Sequence, residues 1–335
     1  MYTYLIFDSV NFAYRLKTHC SEETIKTQRG LIYKELASKF IEIVQNLLQF
    51  YYSKEVILLF DNYTSKIELK EEFEKGFDPV IKRKKDIKNS YKANRIKEKD
   101  EFYLTLDFLR YYYLISKPIF HTVQIRKLEA DDLVGPCLET IVKEDTALLI
   151  TNDMDWAIYL NDKIHYTPND FYNPVNPDGF KEKYNFIPSK DKIILFKILF
   201  GDPSDNIEIT YPDIPYKIRE KIFTDFSSTK DFLMIDLEKY SYLKDYAAYI
   251  KKQESVLKMN EYMLLPININ PDLFLSHYTT GRNSERLQHV IETALFKKNE
   301  KKLEEYKFGG NYLLKKWKVN YPPPIEAGAC TKNKP

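Results

Sequence analysis

Nine carboxylates stand where a fold could gather them: Asp8, Asp61, Glu129, Asp131, Asp132, Asp153, Asp155, Asp202 and Asp205. Most follow an apolar run. "YTYLIF" (2–7) ends at Asp8, "EVILLF" (55–60) at Asp61, and "TALLIT" (146–151) leads into Asn152, Asp153, Met154 and Asp155. "IILFKILF" (193–200) stops at Gly201, and Asp202 and Asp205 follow in a Gly/Pro/Ser/Asn turn. Singly, each acid is an ordinary turn or cap residue. Glu129, Asp131 and Asp132 suit the first turn of a helix through its dipole. Gathered in one crevice, they repel at about 1–4 kcal/mol per pair at ~4 Å, depending on the local dielectric. Divalent cations offset that repulsion. An all-oxygen donor set without His or Cys selects Mg²⁺ or Mn²⁺ over zinc. A dense cluster of this kind suits two ions clamping the oxygens of a phosphodiester.

The runs that precede the acids read as strands, and helices alternate with them. Leu31, Ile32, Leu36, Phe40, Val44, Leu47, Leu48 and Tyr51 recur at three and four, predicting a helix from about Gly30 to Tyr52. Further helices are expected over 102–115 and 129–144, and a strand over 118–123. This alternation predicts an α/β class with a mostly parallel central sheet flanked by helices. Ligands of such sheets bind at the carboxyl ends of the strands, so the acids are predicted to meet there. From Pro188 onward the pattern turns helical, with Ser189 as an N-cap and a helix over 215–226 carrying Lys217, Arg219 and Lys221.

The 335 residues are enough for one large domain or two ordinary ones. No apolar run reaches the ~18 residues of a membrane span. The N-terminus lacks the basic region and cleavage site of a signal peptide. Three widely separated cysteines argue against a disulfide framework or a Cys-based zinc site and fit a reducing cytoplasm. The net charge of +2 hides a segregation. Between Lys82 and Lys99 stand nine basic residues against two acidic ones, a phosphate-binding strip that includes Lys82, Arg83, Lys84, Lys85 and Lys88. Within it, "SYKANR" (90–95) interleaves Tyr91 with Lys92 and Arg95. An aromatic can stack on a base while its basic neighbours hold phosphate. Magnesium together with a basic strip points to nucleic-acid hydrolysis.

Six ordered stretches together resemble the 5′ nuclease family: "FDSVNFAYR", "LLFDN", "YKANR", "LEADD", "TNDMDW" and "GDPSDNI", over about residues 1–225. That family includes phage 5′–3′ exonucleases, a phage ribonuclease H, flap endonucleases and the 5′ nuclease domain of bacterial DNA polymerase I. The resemblance implies a PIN-like core and a two-ion, Mg²⁺-dependent nuclease acting on 5′ ends, flaps, nicks and RNA–DNA primer duplexes during replication. It implies a first metal group of Asp8, Asp61, Glu129, Asp131 and Asp132, and a second of Asp153, Asp155, Asp202 and Asp205. It implies that Lys92 and Arg95 act on the scissile phosphate, that Tyr91 stacks on the unpaired nucleotide, and that Arg15 contacts DNA. It further implies a monomer in the cytoplasm of a bacterial host, with a single-strand-binding protein or sliding clamp as partner.

The implied division is a nuclease core over 1–187, with a helical arch inserted at about 62–100. A duplex-binding region spans 188–260, a helical region 261–320 and a disordered tail 321–335. Two departures from the family stand out. Asn152 and Met154 occupy positions where Gly and Lys are common. No glycine lies between Gly201 and Gly281, where the family's helix–hairpin–helix uses several. Without glycine, close backbone approach to a phosphate is harder, and proline removes amide donors. A degenerate hairpin relying on Lys217, Arg219 and Lys221 is therefore expected. Two other classes stay open: a catalytically silent branched-DNA-binding protein and a PIN-like ribonuclease on single-stranded RNA.

Overall fold

The computed structural model describes residues 1–27, 30–61, 98–126, 128–202, 207–266 and 269–296. Six strands form one sheet. In chain order these are β1 (Tyr4–Asp8), β4 (Glu55–Leu59), β5 (Phe120–Val123), β6 (Ala147–Ile150), β7 (Ile164–Tyr166) and β8 (Thr279–Thr280), while β2 (Thr24–Thr27) and β3 (Gly30–Tyr33) make a separate antiparallel pair. The sheet order is β7-β6-β1-β4-β5-β8, parallel throughout except for β8. Consecutive residues of the central strands point to opposite faces. Leu5, Phe7, Val56, Leu58, Leu148 and Ile150 belong to one core. Ile6, Ile57, Leu59, Ala147 and Leu149 belong to the other. Burial on both faces is why these strands read as continuous apolar runs.

On the first face lie α1 (Ser9–Lys17), α2 (Lys34–Phe50) and α3 (Asp100–Ile115). The second face carries α4 (Ala130–Cys137), a 3-10 turn (Met154–Tyr159) and α5 (Pro177–Tyr184). A third core, built by α6 (Lys190–Phe200), α7 (Tyr216–Asp225), α8 (Thr229–Met234), α9 (Ala247–Lys252) and α10 (Glu254–Leu264), holds Leu195, Ile198, Leu199, Tyr211 and Leu257. The chain then returns to the sheet. Its α11 (Pro271–His277) packs on α4, β8 pairs with β5, and α12 (Glu285–Phe296) packs on α2 and α3. Ile291 and Leu295 of α12 thereby join the same core as Leu5 and Phe7. Gly281 donates its N–H to Phe120 O at 2.8 Å and passes too close to the Ser116 and Lys117 carbonyls for any Cβ.

The structure corrects two helix boundaries. Gly30–Tyr33 is a strand rather than the start of a long helix. Gly30 has φ +143°, which opens the hairpin, and the helix begins only at Lys34. The apolar Leu31 and Ile32 fit either period, so the pattern alone merges the two elements. The helix expected over 129–144 divides into α4 and a π-turn (Leu138–Val142). Pro136 lacks the N–H that would bond Asp132 O, and the widened turn closes with Lys143 N–H on Leu138 O at 2.8 Å. Among the described residues, no helix is long and apolar enough to cross a membrane.

Candidate metal centre

The order of the sheet decides where the acids meet. β1 lies between β4 and β6, all three parallel, so their carboxyl ends share one edge. Asp8 ends β1, Asp61 stands two residues past β4, and Asp153 three residues past β6. The chain leaves β1 towards β4 and β5 and later returns to β6 on its other side, which makes this edge a topological switch point. Asp131 arrives from the first turn of α4, and Asp155 from the 3-10 turn.

Each acid is held by its own local bonds. Asp8 caps α1, with Oδ1 accepting from Asn11 N–H at 3.0 Å. Its Oδ2 accepts from Thr151 Oγ1 at 3.3 Å, and Thr151 Oγ1 accepts from Asp153 N–H at 3.1 Å. One hydroxyl therefore spaces Asp8 from Asp153. Asp153 Oδ1 accepts from Asp155 N–H at 2.9 Å. Asp61 Oδ1 accepts from Ala130 N–H at 2.7 Å, tying the β4 end to the α4 N-terminus. Asp131 Oδ1 accepts from the indole N–H of Trp156 at 2.7 Å, and Trp156 is fully buried.

The electrostatics confirm the crowding. Burial pushes Asp8 well above the ordinary carboxylate range, and Asp131, Asp61 and Asp153 push it further. Burial, then Asp155 and Asp131, push Asp153 up to about 8. Carboxyl oxygens of Asp131, Asp153 and Asp155 all lie within 4.8 Å of one another. One cation with metal–oxygen bonds of about 2.0–2.6 Å can bridge such a span. Half-buried, mutually repelling, all-oxygen donors fit a hard divalent ion. Asp131 and Asp153 of this group would hold it, together with Asp8 and Asp61, whose charges crowd the same edge, while Asp155, the third member, is engaged by Lys197.

Other expected site residues have different surroundings. Glu129 and Asp132 form the capping box of α4, each side chain accepting from the other's backbone N–H, at 3.1 Å for Asp132 Oδ2. Asp202 is buried and makes paired backbone bonds with Ile207, at 2.8 and 2.9 Å. Asp155 and Asp202 do come together, but around Lys197. The Lys197 ammonium bonds Asp155 Oδ1 and lies 2.5 Å from Asp202 Oδ2. Burial alone would lower its pKa; Asp155, Asp202 and Asp153 outweigh burial and hold it above its ordinary value.

Arg15 donates to Thr167 O at 3.1 Å and Asn169 O at 3.2 Å and stacks on the Phe171 ring, so it braces the segment after β7. Arg219 donates to Leu199 O at 2.8 Å, closing the C-terminal end of α6. Lys217 is exposed, and Lys221 lies 4.2 Å over the Tyr242 ring. Of the nine basic residues in the strip only Lys99 is described; it pairs with Glu22 at 2.7 Å. Lys82, Arg83, Lys84, Lys85, Lys88, Tyr91, Lys92, Arg95 and Asp205 lie outside the described residues, as does the tail over 321–335. Asn152, at the departure from the family pattern, pairs with Asn11: Nδ2 of Asn11 donates to Asn152 Oδ1 at 2.6 Å, and Asn152 N–H to Asn11 Oδ1 at 3.2 Å.

Sequence reasoning did not single out Lys197, Trp156 or Thr151. Trp156→Phe keeps an aromatic but removes the donor that aims Asp131. Loss of such an orienting partner typically costs 10–100-fold in metal affinity or activity. The expected result is a rise of about that size in the Kd for Mn²⁺, with the circular-dichroism spectrum unchanged.

The family model for the 5′-3′ exonuclease N-terminal resolvase-like domain matches residues 3–185. The flap endonuclease of Escherichia phage T5 is 26% identical over 213 residues, 61% of this chain and 63% of that protein. A 5′-3′ exonuclease of Mycoplasmopsis pulmonis is 25% identical over 235 residues, 65% of this chain and 74% of that one. The chain thus spans less than two thirds of the phage protein's length in that match. A phage T5 protein co-crystallized with metal ions superposes with a TM-score of 0.59 at 19% identity, over 87% of this chain and 98% of that one. A phage T5 flap endonuclease complex with DNA and metal ions gives 0.57 at 19%, over 87% and 97%. These superpositions show the fold. With the carboxylates at the switch point and more than half of the chain matched, the protein belongs to the 5′-3′ exonuclease family, whose N-terminal resolvase-like domain it carries.

Proposed function

We propose that the chain is a Mg²⁺-dependent, structure-specific 5′ nuclease, a 5′–3′ exonuclease and flap endonuclease that hydrolyses phosphodiester bonds in DNA and in RNA–DNA primer duplexes during replication. The observation that carries this reading is the convergence of Asp8, Asp61, Asp131, Asp153 and Asp155 from four separate segments on one sheet edge. A helix cap needs one acid, not five in mutual repulsion. The relatives named flap endonuclease and 5′-3′ exonuclease, and the T5 structures with DNA and metal ions, support the same reading.

A bound divalent ion supplies Lewis acidity and positive charge at the phosphate. Asp8, Asp61, Asp131 and Asp153 hold it, and Thr151 and Trp156 fix the angles of their carboxylates. Lys92 and Arg95 donate to the scissile phosphate, Tyr91 stacks on the unpaired nucleotide, and Lys82 to Lys88 draw the 5′ strand across the site. In this division, residues 1–187 cut and residues 188–260 hold duplex. The place of work is a bacterial host's cytoplasm, beside a single-strand-binding protein or sliding clamp.

The test is cleavage of end-labelled 5′-flap, nicked and RNA-primed duplexes with Mg²⁺ or Mn²⁺, against an unstructured RNA. No cutting of any of the three, or preference for the RNA, sinks the reading. Duplex grip has its own expectation. Lys217 is free to meet phosphate, whereas Arg219 is tied to α6. Each lost phosphate contact flattens the plot of log K against log salt by ~0.9. Lys217→Ala is expected to do so, while Arg219→Ala lowers the melting temperature instead. An unchanged salt slope in Lys217→Ala contradicts this.

A further inference from the structure

Lys197 occupies an improbable place. It sits within the apolar run of α6, between the buried residues Leu195, Ile198 and Leu199, and is itself only 5% exposed. Lysine is almost never so buried unless its charge is matched. Here two carboxylates match it. Asp155 comes from the 3-10 turn after β6 and Asp202 from the turn after α6, and the ammonium bonds one oxygen of each. Both carboxylates are rigidly presented. The 3-10 turn is capped by Asp153, which accepts from Asp155 N–H. The Asp202 turn is closed by its paired bonds with Ile207 and by Gly201 at φ +81°.

An ion bridging Asp155 and Asp202 needs both oxygens about 2.0–2.6 Å from one point. The ammonium already sits between those oxygens, and two like charges cannot share the position. The flexible stem of lysine normally carries its charge out to water. This one carries it inward, to Asp155 and Asp202. Burial of Lys197 and Asp202 limits the water that would otherwise compete for the ammonium.

We propose that Lys197 is a built-in cation: its ammonium takes the place between Asp155 and Asp202 where a second divalent ion would sit, so the protein binds one divalent ion rather than two. The inference rests on the metal-nuclease reading for the ion held by Asp8, Asp61, Asp131 and Asp153. It revises the expectation of two ions. Lys197 then supplies fixed positive charge beside the first ion, independent of the metal concentration around the protein.

The test counts ions without DNA or turnover. Mn²⁺ is titrated into the protein, and free Mn²⁺ is read from its electron paramagnetic resonance signal. The wild type is expected to bind one ion. Lys197→Met, which keeps the stem and removes the charge, is expected to bind two, and Lys197→Arg one. Asp202→Asn in the wild-type background is expected to leave the count at one, and it needs no folding of the Met variant. Two ions in the wild type, an unchanged count in a folded Lys197→Met, or a count lowered by Asp202→Asn each overturn the proposal, whether or not the protein cuts DNA. No ion in any of them overturns the nuclease reading as well. Cleavage by the wild type alongside two bound ions rejects the built-in cation while that reading stands.

Discussion

Asp153→Asn is expected to abolish cleavage while making the metal-free protein more stable. The first half follows from position. Asp153 lies within reach of both Asp131 and Asp155, in the group that would hold the ion. An ion at the reacting phosphate contributes several kcal/mol, and each 1.36 kcal/mol is tenfold in rate. A drop in kcat of about 10³-fold follows, read on a labelled flap at saturating Mg²⁺. The second half follows from charge. Burial and two neighbouring carboxylates disfavour the ionised Asp153. Asn fills the same volume, and its Oδ1 can still accept from Asp155 N–H. Removing one like charge from the cluster is expected to raise the melting temperature of the EDTA-treated protein by about 1–2 °C, the shift that roughly 1 kcal/mol produces in a chain of 335 residues. An equal or lower melting temperature would show that the acids do not strain one another.

Lys197→Met is expected to produce the opposite change in stability. Removing one member of a buried ion pair leaves the other uncompensated and costs about 3–5 kcal/mol. Here two carboxylates, Asp155 and Asp202, are left behind. Urea denaturation in EDTA is expected to show a loss of that size, with an unchanged slope. Saturating Mn²⁺ is expected to return much of it, since an ion at 100 times its Kd adds about 2.7 kcal/mol through mass action. The double variant Lys197→Met with Asp202→Asn is expected to lose less than Lys197→Met alone, because one orphaned charge has gone. A loss under 1 kcal/mol for Lys197→Met means that the lysine is not the countercharge of this pair.

Much of the centre is legible in the chain because parallel strands announce themselves. A strand buried on both faces is a short apolar run, and the residue that ends it lies at the binding edge. Asp8, Asp61 and Asp153 could be placed together on that ground alone. Other features carry no such signal. The β2–β3 pair vanishes into the periodicity of α2, since Leu31 and Ile32 continue its pattern. β8 is too short to show any alternation. Charge type does not reveal a partner: Arg15 and Arg219 read as phosphate contacts, yet carbonyl oxygens of the chain hold both. Lys197 reads as a surface lysine interrupting an oily helix, and Trp156 as plain core. The distances that reassign them join residues far apart in sequence, which no local pattern encodes.

The return of the chain to the sheet has a consequence for biosynthesis. β8 completes the edge beside β5, and Ile291 and Leu295 fill the layer beneath β1, whose last residue is Asp8. Tyr112 of α3 also donates to Glu292 at 2.5 Å. A ribosome must therefore emit nearly 300 residues before the first apolar layer can close, although the clustered acids emerge much earlier. Nascent chains ending at residue 278 are expected to be cut by protease within α2 and α3, whereas chains ending at residue 296 resist. A cell would then meet the assembled carboxylate edge only after synthesis is almost complete.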